Sequence, residues 1–167
     1  MNKRIPLSAA SIVPLLAGSC VGDPAVSVPE NARPNIIFIF SDDLGIGDLS
    51  CYGATRVATP HIDRLAAQGQ RFTNAYATSA TSTPSRFGLL TGMYPWRLPN
   101  TQIAPGNSEL IIDPECHTLA DAMHDAGYVT GAVGKWHLGL GPVGGTDFNV
   151  EIRPDARDIG FDYEYLI

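Results

Sequence analysis

Two adjacent carboxylates follow the first long apolar run of the folded part of the sequence. Asp42 and Asp43 come directly after residues 35–41, whose interior is entirely Ile and Phe. Unpaired carboxylates at the end of a buried strand would repel each other and lose solvation, and a hard divalent cation would relieve both effects. Their oxygens suit Ca²⁺ or Mg²⁺, and no soft ligand is close in sequence to suggest zinc. The alternative is an Asp-Asp turn in which one side chain caps backbone N–H groups.

A second polar cluster, Gly-Lys-Trp-His at residues 134–137, follows another apolar stretch. Lys135 and His137 are separated by one residue, so in an extended segment both point to one side and Trp136 packs on the other. An ammonium beside an imidazole that exchanges protons near neutral pH suits a negatively charged ester. The alternative is a solvated lysine beside a hydrogen-bonded histidine.

The most specific pattern is segment 82–92, Ser-Thr-Pro-Ser-Arg-Phe-Gly-Leu-Leu-Thr-Gly. A helix start rich in Ser and Pro explains Pro84 and Ser85, but it gives Arg86 and the final Thr-Gly no reason to follow. The segment resembles the signature of the formylglycine-dependent sulfatases. In that signature Cys or Ser is followed at fixed spacing by Pro, a small residue, Arg and then Leu-Thr-Gly, and all of those positions match.

The other clusters resemble the same family in the same order. Residues 35–45 look like its first strand with the metal-binding acid pair, residues 59–66 like the following helix, and residues 134–139 like its second motif. The resemblance implies hydrolysis of sulfate esters, with a sulfated carbohydrate or a small aryl sulfate as substrate. The alternatives are a phosphonate or phosphate-ester hydrolase of the same superfamily, and an inert remnant in which Ser82 is unmodified.

The resemblance also implies the nucleophile and its metal. Ser82 would be oxidised to formylglycine by a serine-type sulfatase-maturating enzyme, and the hydrated aldehyde could attack sulfur and then expel sulfate by collapsing to the aldehyde. Asp42, Asp43 and the modified Ser82 would bind Ca²⁺, with Mg²⁺ the less favoured ion.

Three further side chains take roles by the same resemblance. Arg86 would brace the diol and the metal ligands, Lys135 would bind sulfate oxygens, and His137 would hydrogen-bond the diol. The family completes this site with a later metal-binding pair and with distal His and Lys residues. These do not occur in the present sequence, so we expect it to be a fragment whose substrate specificity is set elsewhere.

Alternating strands and helices must position these clusters. The sequence predicts strands at 35–41, 71–78, 128–133 and 163–167, and helices from Thr59 to Gly69, from about Pro84, and from the capping box at Thr118 to Gly127. Such alternation predicts an α/β fold, with a parallel sheet sandwiched by helices, and the resemblance makes it alkaline-phosphatase-like and incomplete in this chain. Ligands of such sheets bind beyond the carboxyl ends of the strands, where both polar clusters lie.

The N-terminal residues predict export. Residues 1–20 have a basic start and a short apolar stretch, as in a signal peptide, and Leu-Ala-Gly-Ser before Cys20 resembles a lipoprotein cleavage box. Residues 21–34 are rich in proline and predict a linker, with the N-terminal part of the catalytic domain at 35–167. We expect a lipid anchor at Cys20 and a location in the periplasm or at the cell surface, with ordinary signal cleavage as the alternative.

The charge balance limits the partners. The formal net charge of −6 gives no electrostatic reason to expect nucleic acid. An anionic substrate would therefore need local positive charge, which Arg86 and Lys135 could provide. Cys51 and Cys116 have no spacing signature, and a disulfide between them is not favoured.

Overall fold

The computed structural model describes residues 33–167. The predicted export signal, Cys20 and nearly all of the predicted linker therefore lie outside the described residues. The chain divides into two compact units at residue 40. Within the part that is described, no helix is long and apolar enough to cross a membrane.

Residues 33–40, the described part of the first unit, have no regular secondary structure. The Ile and Phe side chains of this segment are exposed, and Ile37 is 85% accessible. The predicted strand at 35–41 is not formed, because a strand needs a neighbour to pair its backbone groups and these residues take part in no strand pairing. High β-propensity alone does not supply that neighbour.

The second unit contains three α-helices and a small sheet within the described residues. The helices are α1 (Pro60–Gln68), α2 (Ser82–Thr91) and α3 (Leu119–Asp125), and the strands are β1 (Gly131–Gly134) and β2 (Tyr163–Leu166). Short 3-10 turns lie at Ile46–Asp48, Ser50–Tyr52, Pro95–Arg97 and Ala156–Ile159.

Local end signals place the helices. Helix α1 begins with a proline in its first turn and stops before Gly69, as predicted. The predicted capping box of α3 is present, since Thr118 Oγ1 accepts from Asp121 N at 3.2 Å and the Asp121 carboxylate accepts from Thr118 N at 2.8 Å. Helix α2 begins at Ser82, two residues before the predicted start at Pro84, and ends at Thr91, where Gly92 caps it in the left-handed region with φ 66°.

The sheet is parallel, with Gly131 opposite Tyr163 and Gly134 opposite Leu166. Both strands were predicted, but β1 begins at Gly131 rather than at residue 128 and ends one residue later than predicted. The predicted strand at 71–78 is not formed, and it too lacks a pairing partner in the described region. Helices together with this small parallel sheet confirm the α/β class only in part.

The core is formed between α2 and the segment that follows β1, and both contribute side chains to it. Its buried members are Phe87, Ile112, Trp136, Leu138, Ala156 and Ile159. The Trp136 ring packs edge-on against Phe161, with centroids 6.3 Å apart. One apolar cluster therefore fixes two of the three segments that carry predicted site residues, α2 and the segment after β1, whereas the acid pair at 42–43 lies outside it.

Candidate functional site

Ser82 is the first residue of α2. The preceding Thr81 is extended and exposed, and Pro84 lies in the first turn, where an amide hydrogen has no intrahelical partner. Ser82 is half-buried, and its Oγ accepts a hydrogen bond from Arg86 Nε at 2.9 Å. The four-residue spacing puts both side chains on one helix face. A helix start with unpaired N–H groups also favours an anion at this position.

Arg86 connects three segments of the chain. Besides Ser82, its guanidinium donates to the backbone oxygen of Lys135 at 2.6 Å and lies 3.6 Å from a carboxylate oxygen of Asp42. Only 12% of its side chain is accessible. The rigid fork of an arginine suits such multiple contacts better than the single ammonium of a lysine.

Asp42 is held by two cations. Its carboxylate accepts a hydrogen bond from Lys135 Nζ, and Arg86 approaches its other oxygen. The hydrogen bond from Lys135, aided by the charges of Lys135 and Arg86, lowers the pKa of Asp42 below its ordinary 3.8 despite some desolvation. Asp42 is thus an anion at neutral pH and holds the Lys135 ammonium beside the start of α2.

His137 departs from the predicted geometry. Strand β1 ends at Gly134, and His137 has a left-handed φ of 55°, so the extended segment that would turn Lys135 and His137 to one side stops before His137. Trp136 is buried, as predicted. The His137 ring pairs through Nε2 with the carbonyl oxygen of Ala104 at 3.0 Å, while its buried Nδ1 has no partner in the described residues.

The described residues do not by themselves complete a calcium site. Asp43 is exposed, with a left-handed φ of 54°, and Asp42 is already paired with Lys135 and Arg86. Among residues 33–167, no group of three or more His, Cys, Asp or Glu side chains is placed to hold a metal. Ca²⁺ takes about six to eight oxygens, so two carboxylates and a modified Ser82 have the right chemistry but are too few.

The loop after the acid pair is tied to α1 by Asp63. Its carboxylate accepts from Ser50 Oγ at 2.6 Å, Cys51 N at 2.9 Å and Thr59 Oγ1 at 3.0 Å. The hydrogen bond from Ser50, followed by the one from Thr59, lowers the pKa of Asp63.

Neither Cys51 nor Cys116 forms a disulfide.

Sequence reasoning missed Thr83 and Ala104, which join His137 to the start of α2. Thr83 Oγ1 donates to the His137 carbonyl oxygen at 2.8 Å and accepts from Ala104 N at 3.1 Å. Thr83 occupies an unspecified position of the signature, and nothing in the sequence around Ala104 signals a role.

The chain is similar to known sulfatases. It is 78% identical over 135 residues to N-acetylgalactosamine-6-O-sulfatase of Bacteroides thetaiotaomicron, covering 81% of this chain and 26% of that protein. It is 46% identical over 114 residues to human arylsulfatase A, covering 66% of this chain and 22% of that protein. A solved structure from work on the metabolism of multiple glycosaminoglycans by B. thetaiotaomicron matches with a TM-score of 0.80 and 78% identity, over 81% of this chain and 28% of that one.

The chain therefore spans about a quarter of the length of the relatives it matches. The sulfatase family model matches residues 34–163, which include Asp42, Ser82, Arg86, Lys135 and His137. On this match, the chain belongs to the sulfatase family.

Proposed function

We propose that the protein to which these residues belong hydrolyses sulfate esters with a formylglycine made from Ser82. The observation that carries this proposal is the cluster at the start of α2. There Arg86 joins the Ser82 hydroxyl, 2.9 Å away, to the ion pair of Asp42 and Lys135. A nucleophile position beside two cations at a helix N-terminus suits an anionic ester.

The residues around Ser82 fit the modified side chain. A formylglycine hydrate supplies a nucleophilic hydroxyl and a second hydroxyl that allows sulfate to be released. Arg86 Nε can donate to an oxygen on the Ser82 side-chain carbon, as it does to Oγ. The unpartnered His137 Nδ1 can accept a proton from a hydroxyl brought within reach.

Lys135 can bind sulfate without leaving Asp42. An ammonium carries three N–H donors, of which Asp42 Oδ2 takes one. The side chain is 42% accessible, so its remaining donors can reach a ligand from solvent. Asp42 keeps the ammonium in place near Ser82 and moderates the positive charge of the site.

Calcium and the maturase remain part of the proposal. Asp42 and Asp43 would supply some of the oxygens of a calcium site whose other ligands lie outside the described residues, and we derive no step of the reaction through the ion. A serine-type maturating enzyme would have to act on residues 82–92.

We also propose that the protein is exported and lipidated at Cys20. Cys20→Ala should then release the protein from membranes, and unchanged membrane fractionation would contradict this.

For the substrate we propose a sulfated carbohydrate, specifically a 6-O-sulfated N-acetylgalactosamine unit. The support is the name of the B. thetaiotaomicron relative together with its 78% identity to this chain. A simple aryl sulfate is the second candidate, supported by the 46% identity to human arylsulfatase A. A phosphate or phosphonate ester would use the same anion-binding groups and is the competing reaction class.

The activity can be tested with the natural protein, produced in a host that has a serine-type maturase. Sulfate release from 6-O-sulfated N-acetylgalactosamine, from an aryl sulfate and from an aryl phosphate would be compared. We expect the sulfated sugar to give the highest kcat/KM, and Ser82→Ala to abolish release from all three substrates. Full activity in Ser82→Ala, or a preference for the aryl phosphate, would contradict the proposal.

A further inference from the structure

The Thr83 hydroxyl lies at a junction of three chain segments. Thr83 follows Ser82 in α2, is fully buried, and bonds to the main chain at two remote positions. Its hydroxyl donates to the His137 carbonyl oxygen at 2.8 Å and accepts from the Ala104 amide at 3.1 Å. The hydroxyl thus acts as both a hydrogen-bond donor and an acceptor in a place that water does not reach.

A third hydrogen bond closes the junction. The Ala104 carbonyl oxygen lies 3.0 Å from Nε2 of His137. A carbonyl oxygen can only accept, so Nε2 carries the hydrogen of the neutral ring. Nδ1 therefore presents a lone pair, and it is buried without a partner in the described part of the chain.

The three bonds form a closed ring that links Thr83, Ala104 and His137. Thr83 holds the main chain of both other residues, and Ala104 in turn holds the imidazole. Because Thr83 directly follows Ser82 in α2, the ring ties the His137 side chain to the helix turn that carries the proposed nucleophile. An unpartnered buried nitrogen costs free energy in a folded protein, and a hydroxyl on a ligand or on a modified side chain would supply the missing hydrogen-bond donor.

We propose that Thr83 is a positioning residue that holds His137 as the Nε2–H tautomer, with Nδ1 available to accept from a hydroxyl on modified Ser82. This inference rests on the proposed function. Thr83 would touch neither substrate nor the reacting atoms. It acts through the Ala104 segment and the main chain of His137.

Two substitutions separate the hydroxyl from the shape of the side chain. Thr83→Val keeps the volume and removes both hydrogen bonds, whereas Thr83→Ser keeps the hydroxyl and removes a methyl group. Thr130→Val is the matched control, because Thr130, which directly precedes β1, is also buried and donates to the Gly160 carbonyl at 2.8 Å. A merely structural role would make Thr83→Val and Thr130→Val alike.

The natural protein and these variants would be produced with the maturase, and mass spectrometry of the Ser82 peptide would confirm equal modification. Nitrogen-15 NMR of the imidazoles at alkaline pH, with His137→Gln to assign the signal, reports the tautomer. Steady-state kinetics with the sulfated substrate report kcat and KM.

We expect Nε2–H in the natural protein, in Thr83→Ser and in Thr130→Val, and a mixed or reversed tautomer in Thr83→Val. We also expect Thr83→Val to lower kcat by about 10–10²-fold with little change in KM, within the range of general acid-base contributions. Thr83→Ser should restore most of the rate.

The Nδ1–H tautomer in the natural protein would overturn the inference. This test needs no variant, so it can be made even if Thr83→Val does not fold. An unchanged kcat and tautomer in Thr83→Val, or equal losses in Thr130→Val, would also overturn it. A natural protein that carries the Nε2–H tautomer but releases no sulfate from any ester would instead contradict the proposed function.

Discussion

Asp42 and Lys135 stand 93 positions apart in the sequence and form an ion pair beside the start of α2. Arg86 adds a second cation, 3.6 Å from the other carboxylate oxygen. The pair therefore joins the loop after the predicted first strand to the segment after β1. It also connects both to the residue that we propose as nucleophile.

The first prediction concerns the ionisation of Asp42. Its pKa lies below 3.8 chiefly because Lys135 donates a hydrogen bond to the carboxylate, so Lys135→Met should raise this pKa toward 3.8. Since the folded pKa is lowered, the stabilising effect of the pair is complete above the unfolded value and is lost as the pH falls through the folded one. NMR titration of the Asp42 side-chain carboxyl carbon would measure its pKa in the natural protein and in Lys135→Met.

Asp147 is the internal control for that titration. Its pKa is also lowered, but mainly by a hydrogen bond from the Asn149 backbone, so it should not respond to Lys135→Met. An Asp42 pKa that stays the same in the variant would show that the pair does not form in solution.

The second prediction concerns Arg86. Arg86→Lys keeps the charge but cannot reach Ser82 Oγ, the Lys135 carbonyl and Asp42 together. We expect kcat to fall by about 10²–10³-fold, the cost typical of losing one donor that stabilises a reacting oxygen. Arg64→Lys, on the exposed surface of α1, is the matched control and should leave kcat unchanged. Equal kinetics in the two variants would remove Arg86 from the site.

The elements that were predicted correctly have local signals. Helices α1 and α3 begin at a proline and at a capping box, whose hydrogen bonds lie within a few residues of one another. The strands predicted at 35–41 and 71–78 did not form, because a strand depends on a partner that is remote in sequence. The patterns around residues 131–134 and 163–166 were correct because those two segments pair with each other.

The site residues also fall into two groups, those with a local sequence signal and those whose position depends on remote contacts. Ser82 and Arg86 were proposed from a motif with fixed spacing, and their site roles stay predictions. The structure adds that Asp42 and Lys135 form an ion pair. The left-handed backbone of His137 and the contacts of Thr83 could not be predicted. They depend on contacts among α2, the segment around Ala104 and the residues after β1. These segments are far apart in the sequence, so no local pattern predicts how they pack together.

A third prediction concerns the helix that carries Ser82. Phe87 is 1% accessible and packs in the core on the face of α2 opposite to solvent. Phe87→Ala should lower the free energy of unfolding by about 3–5 kcal/mol, as is typical for a buried phenylalanine. Urea unfolding would measure this value. Phe148→Ala, at a 64% exposed position, should change it by less than about 0.5 kcal/mol, and similar losses in both variants would contradict the burial of Phe87.

A fourth prediction concerns metal binding. The residues described here offer two carboxylates and Ser82, so this chain alone should bind Ca²⁺ more weakly than the roughly 10⁻⁷–10⁻⁵ M of complete sensor sites. Calorimetry would compare it with a form extended by the region that the longer relatives possess, which should bind more tightly. Asp42→Asn should weaken binding in the extended form. Tight binding by the short chain would show that a metal site exists within it.

The proposed activity depends above all on the conversion of Ser82 to formylglycine. Peptide mass spectrometry of the protein from its native host tests it most directly, with hydrazide labelling to detect the aldehyde. We expect the peptide with residues 82–86 to be lighter than its sequence mass by one H₂ and to react with the hydrazide, since oxidation turns the side-chain CH₂OH into CHO. A peptide at the unmodified mass, which does not react, would contradict the catalytic role proposed for this site.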